Sequence, residues 1–345
     1  MRQVAFSLCC PQSRTRCNTG TRHSYTATYD EVGMNIRPIG DQVDLLGESC
    51  IWSHAEQALY WIDVRGKCVR RLDHRIGQVE TFALPELPGS IALHADGGLV
   101  VALQSGLAHF DLPTGRLRWI AHPHETYLNQ RFNDGRCDRQ GRFWVGTMDD
   151  VERGLRGTLY RLGRDQALDP MLGPFAIPNS LAWSPDGDRM YFSDTTSGRI
   201  MAYDFDPASG TPSNPRIFAE TRAPAAPDGS TVDAAGYLWN AEYDGGCVTR
   251  YAPDGTVDRV LELPVQRPTC CAFGGPDRST LFVTTASQRL TEGERAAQPL
   301  AGRLLAIEVG VRGLAEPSYV AGRPGHSSLG HIPSAPPETS RISDA

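Results

Sequence analysis

No stretch of this 345-residue chain approaches the roughly 18 consecutive apolar residues that a membrane-spanning helix needs, so it reads as a soluble protein. Lysine and arginine form no cluster. With a net charge of −6 and a pI near 5.9, the chain lacks the basic surface that nucleic acids or anionic membranes require, and a small or neutral partner fits better. The nine cysteines contain no C-x-x-C pair and no regular framework. An odd number in a chain of this size suits reduced thiols and a cytoplasmic location. Amphipathic helical stretches are scarce. Also missing are a G-x-S-x-G elbow, a Walker phosphate loop, an H-E-x-x-H motif and a G-x-G-x-x-G turn after a strand. Serine-hydrolase and dinucleotide-binding readings therefore fall away.

What is present is punctuation: 35 Gly and 25 Pro are scattered between short apolar runs, the pattern of an all-β chain with many turns. A unit made of a polar turn and a strand recurs in "WSHAEQALYWID" (52–63), "HADGGLVVALQ" (94–104), "DRQGRFWVGTM" (138–148), "SPDGDRMYFSD" (184–194), "DAAGYLWNAEY" (233–243) and "GGPDRSTLFVTTA" (274–286). With Glu56, Gly97, Gly141, Gly187, Gly236 and Ser279 as turn positions, the steps run from 41 to 49 residues. That period suits a four-stranded blade, and six units predict a six-bladed β-propeller. Two β-sandwiches end to end would also give short strands, but they need not keep so regular a register. The propeller is expected over residues 34–322, with a strand in "MNIRPIGDQVDLL" (34–46) closing the ring against the last blade. Residues 1–33, where Pro11 cuts short the opening apolar run, read as a disordered leader or a mis-assigned start rather than a secretion signal, and 323–345 as a disordered tail.

Eight residues before the turn position stand Glu48, Asn133, Asn179 and Asp228. In a propeller the first strand of each blade lines the central channel, so these four oxygen donors are expected to converge on one axis. The other two blades offer Pro88 or Gly89 and Cys270. Asp and Asn beside Gly usually serve turns, and "NDG" or "PDG" alone carries nothing. Four donors in one register favour a metal instead. Two carboxylates and two amides form a hard-oxygen set, suited to Ca²⁺, Mg²⁺ or Mn²⁺ more than to a closed structural zinc site.

The motifs "LGESCIW" (46–52), "RFNDGRCD" (131–138), "GRFWVGTM" (141–148), "IPNSLAWSPDG" (177–187), "PDGSTVDAAGYLW" (227–239) and "LPVQRPTCCAFGG" (263–275) resemble those of the gluconolactonase family, which includes the regucalcin or senescence marker proteins. The resemblance covers about residues 44–322. It implies one divalent ion (Ca²⁺, Zn²⁺, Mn²⁺, Mg²⁺ or Fe²⁺) held by Glu48, Asn179 and Asp228, and a sugar lactone contacted by Arg131 and Asn133. Asn133 is thus a substrate contact or an outer ligand. Some members add an acidic contact after "GTM"; the run "GTMDDVERG" offers Asp149, Asp150 or Glu152, with Glu152 carried forward.

The implied chemistry is hydrolysis of a pentono- or hexonolactone, with a cation polarising the carbonyl and acidifying a bound water, and Asp228 orienting or deprotonating that water. Arg131 would present a planar fork of donors to ring hydroxyls, and Asn133 a donor and an acceptor. The alternative is a non-enzymatic calcium-binding or scaffolding propeller. The remaining notable residues read as structural. Trp52, Trp61, Trp144, Trp183 and Trp239 are expected between blades, Cys270 and Cys271 in the core, and the His122 and His124 pair in solvent. Asp63 and Asp194, at equivalent strand ends, are left outside the site.

Overall fold

The structure, a computed structural model, describes residues 28–29, 35–151 and 154–322. Glu152, most of the expected leader and the expected tail lie outside the described residues. Five four-stranded antiparallel sheets and one five-stranded sheet form the six blades. Their inner strands are Gly47–Ser53, Pro88–Leu93, Gln130–Cys137, Pro178–Trp183, Ala226–Val232 and Pro268–Gly274. Each packs on the next, and the last returns to the first. Inner strands and their neighbours are buried on both faces, which explains their continuous apolar runs, whereas outer strands such as Gln78–Ala83 are largely exposed.

The core divides into six apolar clusters, each in the seam between two adjacent blades. The five repeating tryptophans all lie in these seams. Where the indole N–H is bonded, an acidic residue accepts it: Asp44 from Trp61, Asp138 from Trp144 and Asp233 from Trp239. Cys270 and Cys271 are wholly buried in the seams. The strand Asn35–Ile39 pairs antiparallel with Leu304–Glu308 of blade six, with Ile36 opposite Ile307, so the ring closes between the two ends of the domain. After Leu304–Glu308 the chain runs beneath the ring, bonding at Gly313, Tyr319 and Val320 to the turns that follow the inner strands. Arg136 reaches Glu316 of this segment at 2.8 Å.

Every inner strand slips register against its neighbour near its start: at Glu48/Ile51, Pro88/Ser90, Phe132/Gly135, Asn179/Ala182, Pro227/Ser230 and Pro268/Cys270. These bulges free residues from the ladder and re-aim their side chains. After Glu48 and Asn179, the bulge is made by Ser49 and Ser180 at φ 51° and 61°. The freed polar groups also join blade to blade. Ser49 Oγ accepts from Ile91 N, Ser90 Oγ donates to Gly135 O, and Asp134 Oδ2 accepts from Leu181 N. Ser180 Oγ donates to Asp228 O, Cys271 Sγ to Gly229 O and Thr269 Oγ1 to Gly47 O, completing a circuit of all six blades. The polar density of "RFND" follows from this arrangement: Asp134 secures the next blade while Arg131 and Asn133 stand at the axis.

Candidate active site and cation site

Glu48, Arg131, Asn133, Asn179 and Asp228 line one cavity of about 100 Å³ at the end of the channel where the inner strands begin. Blade two supplies no side chain. Its position is Gly89, where a Cβ would lie 2.2 Å from Phe132 O, so only glycine allows blade three to approach. In blade six the freed residue is Thr269, which turns away to Gly47 O, while Cys270 packs in the core. Neither Pro88 nor Cys270 thus joins the cavity lining.

The two carboxylates have few donors. Glu48 accepts from Ser49 N at 3.1 Å, and among the described residues no group donates to the Asp228 side chain. Desolvation, with the Asp134 charge, pushes the Glu48 carboxyl up to about 8 against the pull of Ser49 N–H and Arg131. Desolvation and the nearby Glu48 charge likewise raise Asp228 well above the carboxylate range. Two such groups facing one cavity suit a positive ion between them.

Asn179 completes the set through its amide oxygen. Thr195 Oγ1 donates its only hydrogen to Pro227 O at 2.8 Å, so it must accept from Asn179 Nδ2 at 2.7 Å. That orients Asn179 Oδ1 toward Asn133 Nδ2, 2.9 Å away, with a second lone pair left over. Two carboxylates and an amide oxygen from blades one, five and four fit a hard divalent cation. Among the described residues no group of three or more His, Cys, Asp and Glu side chains is placed to hold a metal.

Arg131 differs from the expected open fork. Its Nε donates to Asp150 Oδ1 at 2.6 Å, and its Nη1 to Phe132 O at 2.9 Å and Asn133 Oδ1 at 2.7 Å. Among the described residues none accepts from Nη2, so one nitrogen rather than a fork remains for a ligand. Asn133 is similarly engaged: Nδ2 donates to Pro178 O and Asn179 Oδ1, and Oδ1 keeps one lone pair. Asp150 is held from the other side by Arg65, whose Nη1 and Nη2 reach its two oxygens at 2.6 and 2.8 Å. Burial would raise the Asp150 pKa, but the Arg65 hydrogen bond and the charge and hydrogen bond of Arg131 hold it well below the usual range. Asp149 instead caps the following turn by accepting from Val151 N.

Asp63 and Asp194 prove to brace the segments that lead into the site. Asp63 accepts from Leu45 N and Leu46 N, two residues before Glu48; Asp194 accepts from Ala176 N and Ile177 N, two before Asn179. The cavity wall also includes Leu46, Met148, Ile177 and Thr195, with Tyr243, Gln288 and Arg289. Sequence reasoning missed these; only Thr195, directly after the repeated Asp194, carried a signal. His122 lies tilted against Trp119, with ring centroids 5.0 Å apart, and bonds to Ser105 O, away from the cavity.

Residues 46–287 match the SMP-30/gluconolactonase/LRE-like family. The chain is 38% identical over 280 residues to 6-deoxy-6-sulfogluconolactonase of Pseudomonas putida, covering 81% of this chain and 96% of that one. It is 37% identical over 291 residues to L-arabinolactonase of Azospirillum brasilense, covering 83% and 95%. Among solved structures, a calcium-binding protein, regucalcin, from Agrobacterium tumefaciens superposes with a TM-score of 0.79 at 31% identity, covering 83% of this chain and 97% of that one. This six-bladed propeller, matched by the family model and by these relatives over most of its length, belongs to the SMP-30/gluconolactonase/LRE-like family.

Proposed function

We propose that this protein is a divalent-cation-dependent lactonase that hydrolyses a pentono- or hexonolactone to the aldonic acid. The observation that carries the reading is the pair of donor-poor carboxylates, Glu48 and Asp228, facing one small cavity beside the cationic Arg131. Relatives named as lactonases of sugar acids support it. Glu48, Asn179 and Asp228 would hold the ion, which when bound supplies Lewis acidity at the lactone carbonyl and an acidified water near neutral pH.

The chain's own residues do the rest. An Asp228 carboxylate oxygen accepts the proton of the attacking water as its oxygen bonds to the carbonyl carbon. When the bond from that carbon to the ring oxygen breaks, the proton passes to the departing alkoxide, which leaves as a hydroxyl. Arg131 Nη2 donates to a substrate oxygen, and Asn133 acts mainly from outside by fixing Asn179, with one lone pair for a substrate hydroxyl. Glu152, outside the described residues, is assigned to the substrate side. Leu46, Met148 and Ile177 restrict bulk water. The buried free thiols of Cys50, Cys68, Cys137, Cys247, Cys270 and Cys271 fit a reducing cytoplasm.

A non-enzymatic calcium-binding propeller is the second reading, favoured by the relative described as a calcium-binding protein. Arg131 argues against it, because a cation next to the carboxylates weakens an ion site that has no substrate to serve. The deciding experiment strips the protein with chelator, restores single metals and follows acid release from a panel of aldonolactones where spontaneous opening is slow. Metal-dependent release supports the lactonase. Tight ion binding with no release from any lactone transfers the assignment to the second reading.

A further inference from the structure

We propose that Asp150, gripped by Arg65, is a positioning residue that holds Arg131 away from the two carboxylates of the cation site. The proposal rests on the cation site assigned above. Arg131 is buried between two sources of negative charge. On one side Asp150 accepts from its Nε at 2.6 Å; on the other, Glu48 and Asp228 line the same cavity and both feel its charge. A buried guanidinium with no carboxylate partner is strongly disfavoured. If Asp150 were absent, the nearest compensation would be the very pair that a divalent ion needs. The protein's own arginine would become a competitor for the site.

Arg65 makes the restraint stiff. It extends from the turn after Ala58–Asp63 of blade one, whereas Asp150 follows Phe143–Asp149 of blade three, so the contact spans blade two. Its two nitrogens engage both Asp150 oxygens, a planar pairing that fixes the carboxylate's orientation and presents Oδ1 to Arg131. Arg131 Nη1, tied to Phe132 O and Asn133 Oδ1, then completes a guanidinium with only Nη2 unengaged among the described residues. The chain of contacts Arg65, Asp150, Arg131, Asn133 and Asn179 thereby separates a cation meant for the substrate from oxygens meant for the ion.

The test titrates MnCl₂ and CaCl₂ into chelated protein by calorimetry, without substrate, for the parent, Asp150→Ala, Arg131→Ala and the double variant. Asp150→Ala is expected to weaken ion binding about tenfold or more. Arg131→Ala should bind at least as tightly as the parent, and the double variant should regain the Arg131→Ala affinity because the competitor is gone. A staple that acts only on structure would leave the double variant as weak as Asp150→Ala, and that result overturns the proposal, as does unchanged affinity in Asp150→Ala. Asp150→Asn, which keeps the side-chain volume but loses the charge, replaces the alanine variant if that fails to fold, with loss and rescue in the same order. A parent that binds neither ion overturns it too. If the parent opens no lactone yet the loss and rescue appear, the lactonase reading falls and the positioning role stands.

Discussion

Replacing Asp228 with asparagine changes charge and almost nothing else, and its consequences for stability divide by whether the ion is bound. In the ion-free protein no described residue donates to the Asp228 carboxylate, while Glu48 repels it, so no hydrogen bond is lost on substitution. Ion-free Asp228→Asn should therefore melt at or above the parent's temperature. Adding ion stabilises the parent by RT ln(1 + [L]/Kd), about 2.7 kcal/mol at a hundredfold excess over Kd. Unfolding entropy of about 2.1 cal/mol/K per residue, over roughly 290 residues, converts this to a rise of roughly 4 °C. The variant should lose most of that rise. Differential scanning calorimetry with and without Ca²⁺ or Mn²⁺ measures both arms. A variant that keeps the full ion-dependent rise would remove Asp228 from the site, and one whose ion-free melting temperature drops by more than about 4 °C would make the carboxylate a structural element.

Three further outcomes follow from the geometry. Arg131→Ala should lower kcat/KM on the best lactone by roughly ten- to a thousandfold, the loss of one or two charge-assisted hydrogen bonds; Arg131→Lys should recover little, because a compact ammonium cannot hold Asp150, Phe132 O and Asn133 and still reach the substrate as Nη2 does. Full activity in Arg131→Ala would show that Nη2 faces no substrate. Asp150 has a folded pKa below its unfolded value, so it adds stability above about pH 4 that disappears as pH falls from there through the lower folded value. Urea unfolding from pH 6 to pH 3 should accordingly be less steep in pH for Asp150→Asn than for the parent, and equal slopes would refute the assigned charge pairing. Gly89→Ala should push Phe132 O, and blade three with it, away from blade two and reduce kcat by tenfold or more with a lower melting temperature, which unaltered kinetics would contradict.

The blades were legible because each depends on a local alternation that repeats, and Glu48, Asn133, Asn179 and Asp228 were legible because the repeat carried them in one register. In blade six the register pointed to Cys270 as the matching position, but the bulge there frees Thr269, and Cys270 lies in the core as its residue type predicts. Bulges leave no compositional mark; they follow from how the strand bends around the axis. Arg65 was invisible for another reason. It stands in a turn of blade one, 85 positions from the Asp150 it grips, and no periodicity connects them. The engagement of Arg131 was hidden likewise: residue type predicts five donors, but only the fold decides that three face protein. Gln288 and Arg289 reach the cavity from a loop outside the repeating strands.

The pairing of Asn35–Ile39 with Leu304–Glu308 sets a timetable for the chain as it is synthesised. The first of these strands leaves the ribosome early and waits, with an unpaired edge, until almost the entire domain has followed it. The strands that bring Glu48 and Asp228 into being can form hairpins long before then, but they face each other across the axis only once the last blade is clasped. Ion capture during translation should therefore arrive late and abruptly, after Leu304–Glu308 has emerged. In a stalled-chain series it would serve as a clock for the moment the circle shuts.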